Sequence, residues 1–475
     1  MRLRSWSPTT RPRCACGRPR ATLRWVVALA AVVAMVPSTF ARAAAPSTDR
    51  STGTATCSAG SASDVHRPNV VLIISDDQAW TDFGFMGHET IRTPHLDRLA
   101  DQSALLTRGY VPTSLCRASL ATIITGLYPH QHRITSNDPP RGTDRRAMLR
   151  HLSALGTLPR WLSSVGYLSF QSGKWWEGHH SLGGFTHGMT HGDPTQGGRH
   201  GDRGLAIGRQ GLEPIFDFID DCGASPFFVW YAPLLPHDPH TPPERILARY
   251  RSEGRPERLA AYWAMCQWFD ETCGALLAGL DERGLADDTL VAFVVDNGWI
   301  QETGPQRTTR GWFAPRSKSS PYEAGIRTPI MLRWPGRIAP ARYEEPVSSI
   351  DLAPTILAAC GVEVPVDLPG IDLLSGSANG ADRRRSVQGA IFTHDAVDLD
   401  RPGLNLLDRW CVEGHWKLIL PHADRAPAEL YDLSADPHEQ TDLAGEQPRR
   451  VAELRALLDQ WWSVDECDNP VAAER

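Results

Sequence analysis

The sequence predicts an α/β protein in which helices sandwich a large, mostly parallel β-sheet. Four continuous apolar runs, rich in β-branched and aromatic residues, have the composition of strands that are buried on both faces. Helical patterns separate these runs, and strands that alternate with helices favour parallel pairing. The runs are residues 69–75, 226–232, 289–295 and 329–334.

Helical regions, a long loop and a group of C-terminal segments complete the predicted architecture. Helical patterns cover residues 93–106 and the long region 243–283, whereas residues 178–208 are rich in Gly and His and lack periodicity. Because loops of that length are usually functional or disordered, we expect a loop near a functional site. From about residue 375 the chain changes to short antiparallel-type strands, followed by an amphipathic helix. These C-terminal segments are residues 388–394, 410–421, 429–433 and 450–462.

The N-terminus predicts export. Seven arginines and no acidic residue occur in residues 1–24, and a run of twelve apolar residues and then a cluster of small residues follow. This order is typical of a secretory signal peptide, and the apolar run is shorter than the ~20 residues of a membrane span. We therefore predict a secreted or periplasmic protein without a stable membrane span. The predicted parts are a signal peptide (1–45), a flexible linker (46–67), a catalytic α/β domain (68–375) and a smaller C-terminal α+β subdomain with an antiparallel sheet (376–475).

The predicted mature chain is acidic. Loss of residues 1–45 removes eight of the 49 basic side chains and none of the 55 acidic ones, which changes the formal charge from −6 to −14. This charge argues against sequence-independent nucleic-acid binding. An anionic substrate would need local cations or a metal ion to offset the overall repulsion.

Eight of the ten cysteines follow residue 45, and none of these forms a Cys-x-x-Cys pair, which argues against a zinc ribbon. In an oxidising compartment we expect some of them to form disulfides, although the sequence does not define the pairs. The candidates are Cys222, Cys266, Cys273, Cys360, Cys411 and Cys467.

Acidic and amide side chains follow two of the predicted buried strands. Asp76 and Asp77 come directly after the first strand, and Asp296 and Asn297 directly after the third. In open α/β sheets the ligand crevice lies outside the carboxyl ends of the strands, so we expect both pairs at one edge. Three carboxylates and an amide oxygen suit a hard divalent cation, Ca²⁺ before Mg²⁺. Capping of a helix or turn explains either pair alone equally well, but the two pairs together favour a metal.

A single cysteine precedes a short helical pattern. Leu120, Ile123, Ile124 and Leu127 recur at helical spacing, which predicts a helix with one buried face directly after Cys116. The N-terminus of a helix favours negative charge, so this position suits an activated thiolate or a nucleophile that attacks an anion. An inert, buried cysteine is the alternative.

Seven motifs occur in an order that resembles the type I sulfatases of the alkaline-phosphatase superfamily, in particular the arylsulfatase-like branch. None is decisive alone, but seven in order are specific, and they span residues 69–444. They are NVVLIISDD, SLCRASLATIITGLYPHQH, SGKWW, LLPHDP, VVDNG, KSSPYEAGIRTP and ELYDLSADPHEQTDLA.

This resemblance implies that a formylglycine-generating enzyme oxidises Cys116 to formylglycine. The hydrate of that aldehyde would attack the sulfur of a sulfate ester, and after the alcohol leaves, its second hydroxyl would expel sulfate. The resemblance also implies one Ca²⁺ ion, which polarises the sulfate and the nucleophile. Lys174 and Lys318 would bind sulfate oxygens, and His237 would assist the leaving group. The implied calcium ligands are Asp76, Asp77, Asp296 and Asn297.

The lysines provide independent support. The chain has three lysines against 46 arginines, and two of the three, Lys174 and Lys318, lie in these motifs. Lys provides a compact, single-point positive charge at these two positions, which the planar guanidinium group of Arg does not replace. We interpret the third, Lys417, as an ordinary strand lysine. His237 and His240 follow a buried strand on a Pro-rich loop, and a surface turn is the alternative explanation for this pair.

The first departure from the family pattern concerns the helix after Cys116. The usual motif, Cys-x-Pro/Ala-x-Arg, has an arginine where this chain has Leu120. Arg117 is rotated by about 100° around the helix from Cys116, and two orientations are open to it, into the site or toward solvent.

The second departure is Trp176, which stands where the family commonly has a His two residues after the motif lysine. His179 and His132 are candidates to compensate for that His in substrate binding. Trp176 and Trp175 together form either a sugar-stacking wall or part of the core.

The sequence therefore predicts a sulfuric-ester hydrolase that acts on a small-molecule or oligosaccharide sulfate ester, either a sulfated carbohydrate or an aryl sulfate. A phosphodiesterase or phosphonate monoester hydrolase with the same site is a second interpretation, because the tetrahedral anions are alike in size. A catalytically silent glycan-binding relative is a third, based on Leu120 and Trp176.

Overall fold

The computed structural model describes residues 67–192, 202–304, 312–375 and 386–464, which contain two β-sheets. The strands of the large sheet are β1 (Asn69–Ser75), β2 (Ala104–Tyr110), β3 (Leu168–Gly173), β4 (His187–Gly188), β5 (Phe227–Ala232), β6 (Thr289–Val295), β7 (Arg327–Arg333), β8 (Ala341–Tyr343) and β9 (Val347–Ser348). The strands of the small sheet are β10 (Ser386–Phe392), β11 (Leu406–Glu413), β12 (Trp416–Pro421) and β13 (Glu429–Asp432). The α-helices are α1 (Pro94–Asp101), α2 (Cys116–Thr125), α3 (Pro129–His132), α4 (Arg150–Ser153), α5 (Leu158–Ser163), α6 (Glu213–Asp221), α7 (Glu244–Tyr250), α8 (Glu257–Glu282), α9 (Glu323–Ile326), α10 (Leu352–Ala359) and α11 (Pro448–Trp461).

The large sheet has the strand order β4-β3-β5-β1-β6-β7-β2-β8, and β9 pairs with β2. Strands β4, β3, β5, β1 and β6 are parallel, and β7 runs antiparallel to both of its neighbours. The predicted mostly parallel sheet is therefore confirmed, with β7 as the antiparallel member.

Strand β1 shows why these strands appear as continuous apolar runs. Val70, Leu72 and Ile74 face a core that includes α2, α5 and α10, whereas Val71 and Ile73 face a second core that includes α1, α6 and α8. Because helices cover both faces, successive residues are all buried and the strand has no solvent-facing position. The predicted α/β sandwich is confirmed by these two helical layers.

The small sheet is antiparallel in the order β10-β11-β12-β13, as predicted for the C-terminal part. One face packs Val387 and Trp410 with Tyr110 and Ile326 of the large-sheet region. The opposite face packs against α11, where Leu454 and Leu458 meet Cys411, Leu418 and Leu430.

One element prediction was wrong in detail. The predicted helix over residues 93–106 ends at Asp101, and strand β2 begins at Ala104. Leu105 and Leu106 face opposite cores, which is the geometry of a buried strand rather than a helix. The segment 410–421, predicted as part of the antiparallel group, contains most of a hairpin of β11 and β12, which turns at Gly414 with a φ of 59°.

The disulfide prediction was wrong for the five candidates that the structure describes, since all five are free and buried. Cys266 and Cys273 lie on the same helix, α8, about 10 Å apart by helical rise, which is too far for a bridge. The others lie in separate core regions and pack as small apolar residues. The five are Cys222, Cys266, Cys273, Cys360 and Cys411, and Cys467 lies outside the described residues.

The predicted signal peptide (1–45) and nearly all of the predicted linker (46–67) lie outside the described residues. Within the described ranges, no helix combines the length and the apolar character that crossing a bilayer requires. The proposed boundary between residues 375 and 376 stays a prediction.

Candidate active site

Four neighbouring parallel strands end in polar residues at one edge of the large sheet. The strand order β3-β5-β1-β6 places their carboxyl ends side by side. The backbone N–H of Asp77 donates to Oδ1 of Asp296 at 3.0 Å, so the two acidic segments meet. The residues at these strand ends are Lys174 after β3, His237 after β5, Asp76 and Asp77 after β1, and Asp296 and Asn297 after β6.

Asp77 lies at the centre of this cluster, with a positive φ of 61°. Its carboxylate accepts hydrogen bonds from Lys318 Nζ at 2.6 Å and from Asn297 Nδ2 at 2.6 Å. His237 Nε2 lies 3.4 Å from Asp77 Oδ2, and Cys116 Sγ lies 3.9 Å from Asp77 Oδ1. The predicted nucleophile, one predicted cation and the predicted histidine therefore surround a single carboxylate.

Lys174 binds the other two carboxylates. Its Nζ lies 2.6 Å from Asp76 Oδ1 and 3.5 Å from Asp296 Oδ2, and the lysine side chain is 1 % exposed. Both lysines of the cluster are thus buried ammonium groups with carboxylate partners, and three carboxylates share two lysines.

The loop of Lys318 is tied to the segment before Cys116. The N–H of Ser319, which has a φ of 62°, donates to the carbonyl of Ser114 at 3.1 Å and to its Oγ at 2.9 Å. Cys116 follows the extended residue Leu115 as the first residue of α2. These contacts hold the ammonium and the thiol at one point of the sheet edge.

Three buried oxygens in the cluster accept no hydrogen bond. Buried acceptors usually accept a hydrogen bond, and Asp296 Oδ2 has only its 3.5 Å ion pair with Lys174, so three such oxygens from separate side chains suit a cation. Asn297 turns its amide nitrogen to Asp77 and leaves its oxygen free, as a metal ligand requires. The donor set therefore fits a hard divalent ion. The three oxygens are Asp76 Oδ2, Asp296 Oδ2 and Asn297 Oδ1.

Burial and neighbouring charges shift the pKa values of the cluster in different directions. Burial and the charge of Asp296 raise the pKa of Asp76 well above its usual range. Burial also acts to raise the pKa of Asp77, but the positive charges of Lys318 and His237 outweigh it and lower the pKa. Burial raises the pKa of the Cys116 thiol to about 12, against the effect of the lysines, so the unmodified residue is a neutral thiol rather than a thiolate.

Arg117 takes neither of the two orientations left open by the sequence. Its guanidinium is buried and forms a two-point ion pair with Glu177, at 2.6 and 2.9 Å. It also donates to the carbonyls of Ser136 and Met148. Leu120 packs in the core between the sheet and its helices, so no guanidinium occupies the usual family position.

Trp175 and Trp176 are both buried and belong to the core between the sheet and its helices. Trp175 makes edge contacts with Phe185 and Trp230. Trp176 lies beside the cluster, with Lys174 Nζ at 5.9 Å from its ring and Arg145 Cζ at 5.0 Å.

The remaining predicted histidines lie in three different surroundings. His132 is buried, and its ring nitrogens contact Thr122 Oγ1 and the N–H of Ile134, which leaves neither for a substrate. His240 packs against Tyr262 and Trp299, and burial lowers its pKa to about 4. His179 is grouped with two other histidines rather than with Asp77.

The interpretation of Lys417 as a strand lysine is confirmed, although its surroundings are not those of an exposed strand position. It does lie in strand β12, but it is fully buried between Glu323 at 3.0 Å and Glu439 at 2.7 Å. These glutamates, like Glu177, gave no sequence signal, because a glutamate inside a motif does not show which distant cation it meets.

Two family models match the chain. The sulfatase model matches residues 68–362, and the model of the N-sulphoglucosamine sulphohydrolase C-terminal region matches residues 309–462.

Individual proteins agree with these matches. Arylsulfatase A from Homo sapiens is 28% identical and is aligned over 83% of this chain and 86% of its own. N-acetylgalactosamine-6-sulfatase from Canis lupus familiaris is 28% identical over 68% of each chain. The structure of BT4656 in complex with its substrate D-glucosamine-2-N,6-O-disulfate has a TM-score of 0.67 at 21% identity, and covers 86% of this chain and 100% of that one. Because the sulfatase model covers more than half of the residues, the chain belongs to the sulfatase family of enzymes.

Proposed function

We propose that the protein hydrolyses sulfate esters of carbohydrates or aryl alcohols outside the cytoplasm, with formylglycine made from Cys116 and one bound calcium ion. One observation carries this proposal: three buried oxygens that accept no hydrogen bond lie in a cluster with two buried ammonium groups and Cys116. The names of the sulfatase relatives, which include a carbohydrate sulfatase, support the substrate class.

Asp76, Asp77, Asp296 and Asn297 would hold the calcium ion, which supplies positive charge to the sulfate and to the nucleophilic oxygen. Three carboxylates, two ammonium groups and a protonated His237 sum to zero, and a divalent ion makes the charge of the site positive, which favours an anionic ester.

Lys174 and Lys318 would each bind a sulfate oxygen once the metal shares their carboxylate partners. Nδ1 of His237 donates to the carbonyl of Asp238 at 2.6 Å, which orients Nε2 toward the cluster. From there the ring would donate a proton to the departing alcohol oxygen. Trp176, beside Lys174, would present an aromatic face to the substrate.

Arg117 has a different role in this proposal. Its guanidinium is held by Glu177, which follows the segment of Lys174, so it links the residue after the nucleophile to that segment. We therefore place Arg117 as a positioning residue. His132 would have a structural role, and His240 would line the aromatic side of the site.

Export through residues 1–45 and oxidation of Cys116 by a formylglycine-generating enzyme would precede activity. The mass of the tryptic peptide of residues 109–117 tests the second step. Conversion replaces sulfur and two hydrogens by one oxygen. An unmodified thiol in fully active enzyme would exclude this mechanism.

Turnover of 4-nitrophenyl sulfate, with and without a calcium chelator, tests the activity. Asp77→Ala should abolish calcium binding and turnover while the circular dichroism stays unchanged. Cys116→Ala should be inactive, and the control Cys222→Ala, at another buried cysteine, should be fully active. Faster hydrolysis of bis(4-nitrophenyl) phosphate would favour the phosphodiesterase alternative. Glycan binding without turnover of either ester would favour the silent relative.

A further inference from the structure

Three histidines outside the Asp77 cluster face one another in the segment that follows Lys174. His179, His180 and His191 each place a ring nitrogen within 4.8 Å of the others. The ring centroids of His179 and His180 are 4.2 Å apart, and those of His180 and His191 are 6.0 Å apart. The sulfatase chemistry proposed above uses none of these rings.

The backbone brings two of the three rings together. His179 and His191 are opposite residues of an antiparallel bridge, which places their Cβ atoms about 4.5–5.5 Å apart. Gly192 permits this approach, because a Cβ there would lie 2.6 Å from the backbone nitrogen of His179, and its φ is 76°. The pairing is therefore built into the chain at a position where only glycine fits.

A second glycine positions the third ring. A Cβ at Gly188 would lie 2.6 Å from Cγ of His180, so the imidazole packs directly over that glycine. Nδ1 of His180 donates to the carbonyl of Thr190 at 3.1 Å, and this bond leaves Nε2 with its lone pair free.

The Nδ1 atom of His179 is also engaged within the loop. It lies 2.8 Å from Ser181 Oγ and 3.2 Å from the Ser181 N–H. The Ser181 N–H donates to Nδ1 of His179, so metal binding at Nε2 of this ring requires its proton to move to Nδ1, where Ser181 Oγ can accept it. His180 already has the outer hydrogen-bond partner that metal-binding histidines commonly have.

We propose that His179, His180 and His191 bind a late first-row divalent cation, with Zn²⁺ as the best match, and that water completes the coordination. Three neutral imidazoles and one open position are a common zinc arrangement, whereas calcium prefers oxygen ligands. Tetrahedral zinc needs nitrogens about 3.3 Å apart, so rotation of the more exposed His179 and His191 toward His180 has to close the present spacing.

Cobalt and zinc titrations of the full chain test this site. The Cys116→Ala variant serves as the parent in this experiment. Excess calcium is present, so that the Asp77 cluster does not contribute to cobalt or zinc binding. We expect one tightly bound Co²⁺ with a tetrahedral visible spectrum and no sulfur charge-transfer band, displaced by one Zn²⁺. His180→Ala and His191→Ala should each weaken zinc binding by about 100-fold or more. Zinc should also raise the Tm of the parent and not that of these variants.

His187→Ala is the matched control, since His187 is an exposed residue of the same segment and contacts Phe218 instead. It should bind zinc as the parent does. Equal zinc stoichiometry and affinity in the parent and in both His180→Ala and His191→Ala would overturn the proposal. Equal weakening by His187→Ala would also overturn it, because binding would then be non-specific.

Discussion

Two buried charge clusters of this protein differ in how closely their oxygens are paired. At the sheet edge, three carboxylates meet two ammonium groups and the ring of His237, and three oxygens accept no hydrogen bond. Around Lys417, two carboxylates, Glu323 and Glu439, meet two cations, Lys417 and Arg327, and Glu439 Oε1, which accepts no hydrogen bond, still lies 2.7 Å from Lys417 Nζ. Buried charges can be stabilised by close mutual pairing, whereas several oxygens without a close cation suit a bound cation.

The second cluster also joins distant parts of the chain. Glu323 begins α9, Lys417 lies in the small sheet, and Glu439 follows β13. Glu439 Oε2 accepts the N–H of Glu323 at 2.7 Å, and Tyr110 of the large sheet donates to Glu323 at 3.2 Å. We interpret the Lys417 cluster as a structural joint and the cluster at the sheet edge as the proposed metal site.

The largest effect is expected from Asp76→Asn, which removes one of the three carboxylates at the sheet edge. Turnover should fall by about 10³-fold or more, because the proposed metal loses a charged ligand. The Tm should stay the same or rise, because burial and Asp296 oppose the charge of Asp76. The measurements are kcat/KM and thermal unfolding, with the exposed Asp101→Asn as the control. A large loss of Tm would place this cluster with the structural one.

A smaller effect, on stability alone, is expected from Lys417→Met. The change leaves two buried glutamates without their shared cation, which should lower the free energy of unfolding by about 3–5 kcal/mol. Chemical denaturation measures the loss, and kcat/KM of the folded enzyme should stay within about twofold of the parent. The double variant Lys417→Met/Glu439→Gln should recover part of the stability. Loss of turnover without loss of stability would contradict the structural assignment.

The smallest effect concerns pH. Burial raises the pKa of Glu439 to about 6 from the usual 4.5, so the folded carboxyl binds its proton more tightly than the unfolded one. Its stabilising contribution is therefore full below about pH 4.5 and is lost as the pH rises through about 6, by about 2 kcal/mol in total.

The comparison of the parent with Glu439→Gln isolates the contribution of Glu439 to the pH dependence of stability. The variant should show a Tm that falls less between pH 4.5 and 7 than that of the parent. Glu446→Gln, at an exposed residue, serves as the control and should keep the parent profile. A parallel pH profile for Glu439→Gln and the parent would mean that Glu439 stays ionised throughout.

The sequence predicted the fold class and the sheet edge correctly because both depend on local patterns. Strand β1 is apolar at every position since both of its faces are covered, and Asp76 follows directly where that strand ends. A strand end in a parallel sheet is a defined place in space, so the sequence position of a side chain there also predicts its neighbours. The order of seven motifs predicted the family, because that order can be read directly along the chain.

Tertiary structure decided which partner each side chain meets. Arg117 pairs with Glu177 across 60 positions of sequence, and Lys417 meets Glu323 across 94, and no local pattern encodes either contact. The cysteines that the structure describes are all unpaired, although their number alone favoured disulfides. Sequence periodicity determines what a segment becomes and which of its faces is buried. Pairing of charges, thiols and imidazoles depends on distances of a few ångström, which exist only after the whole chain has packed.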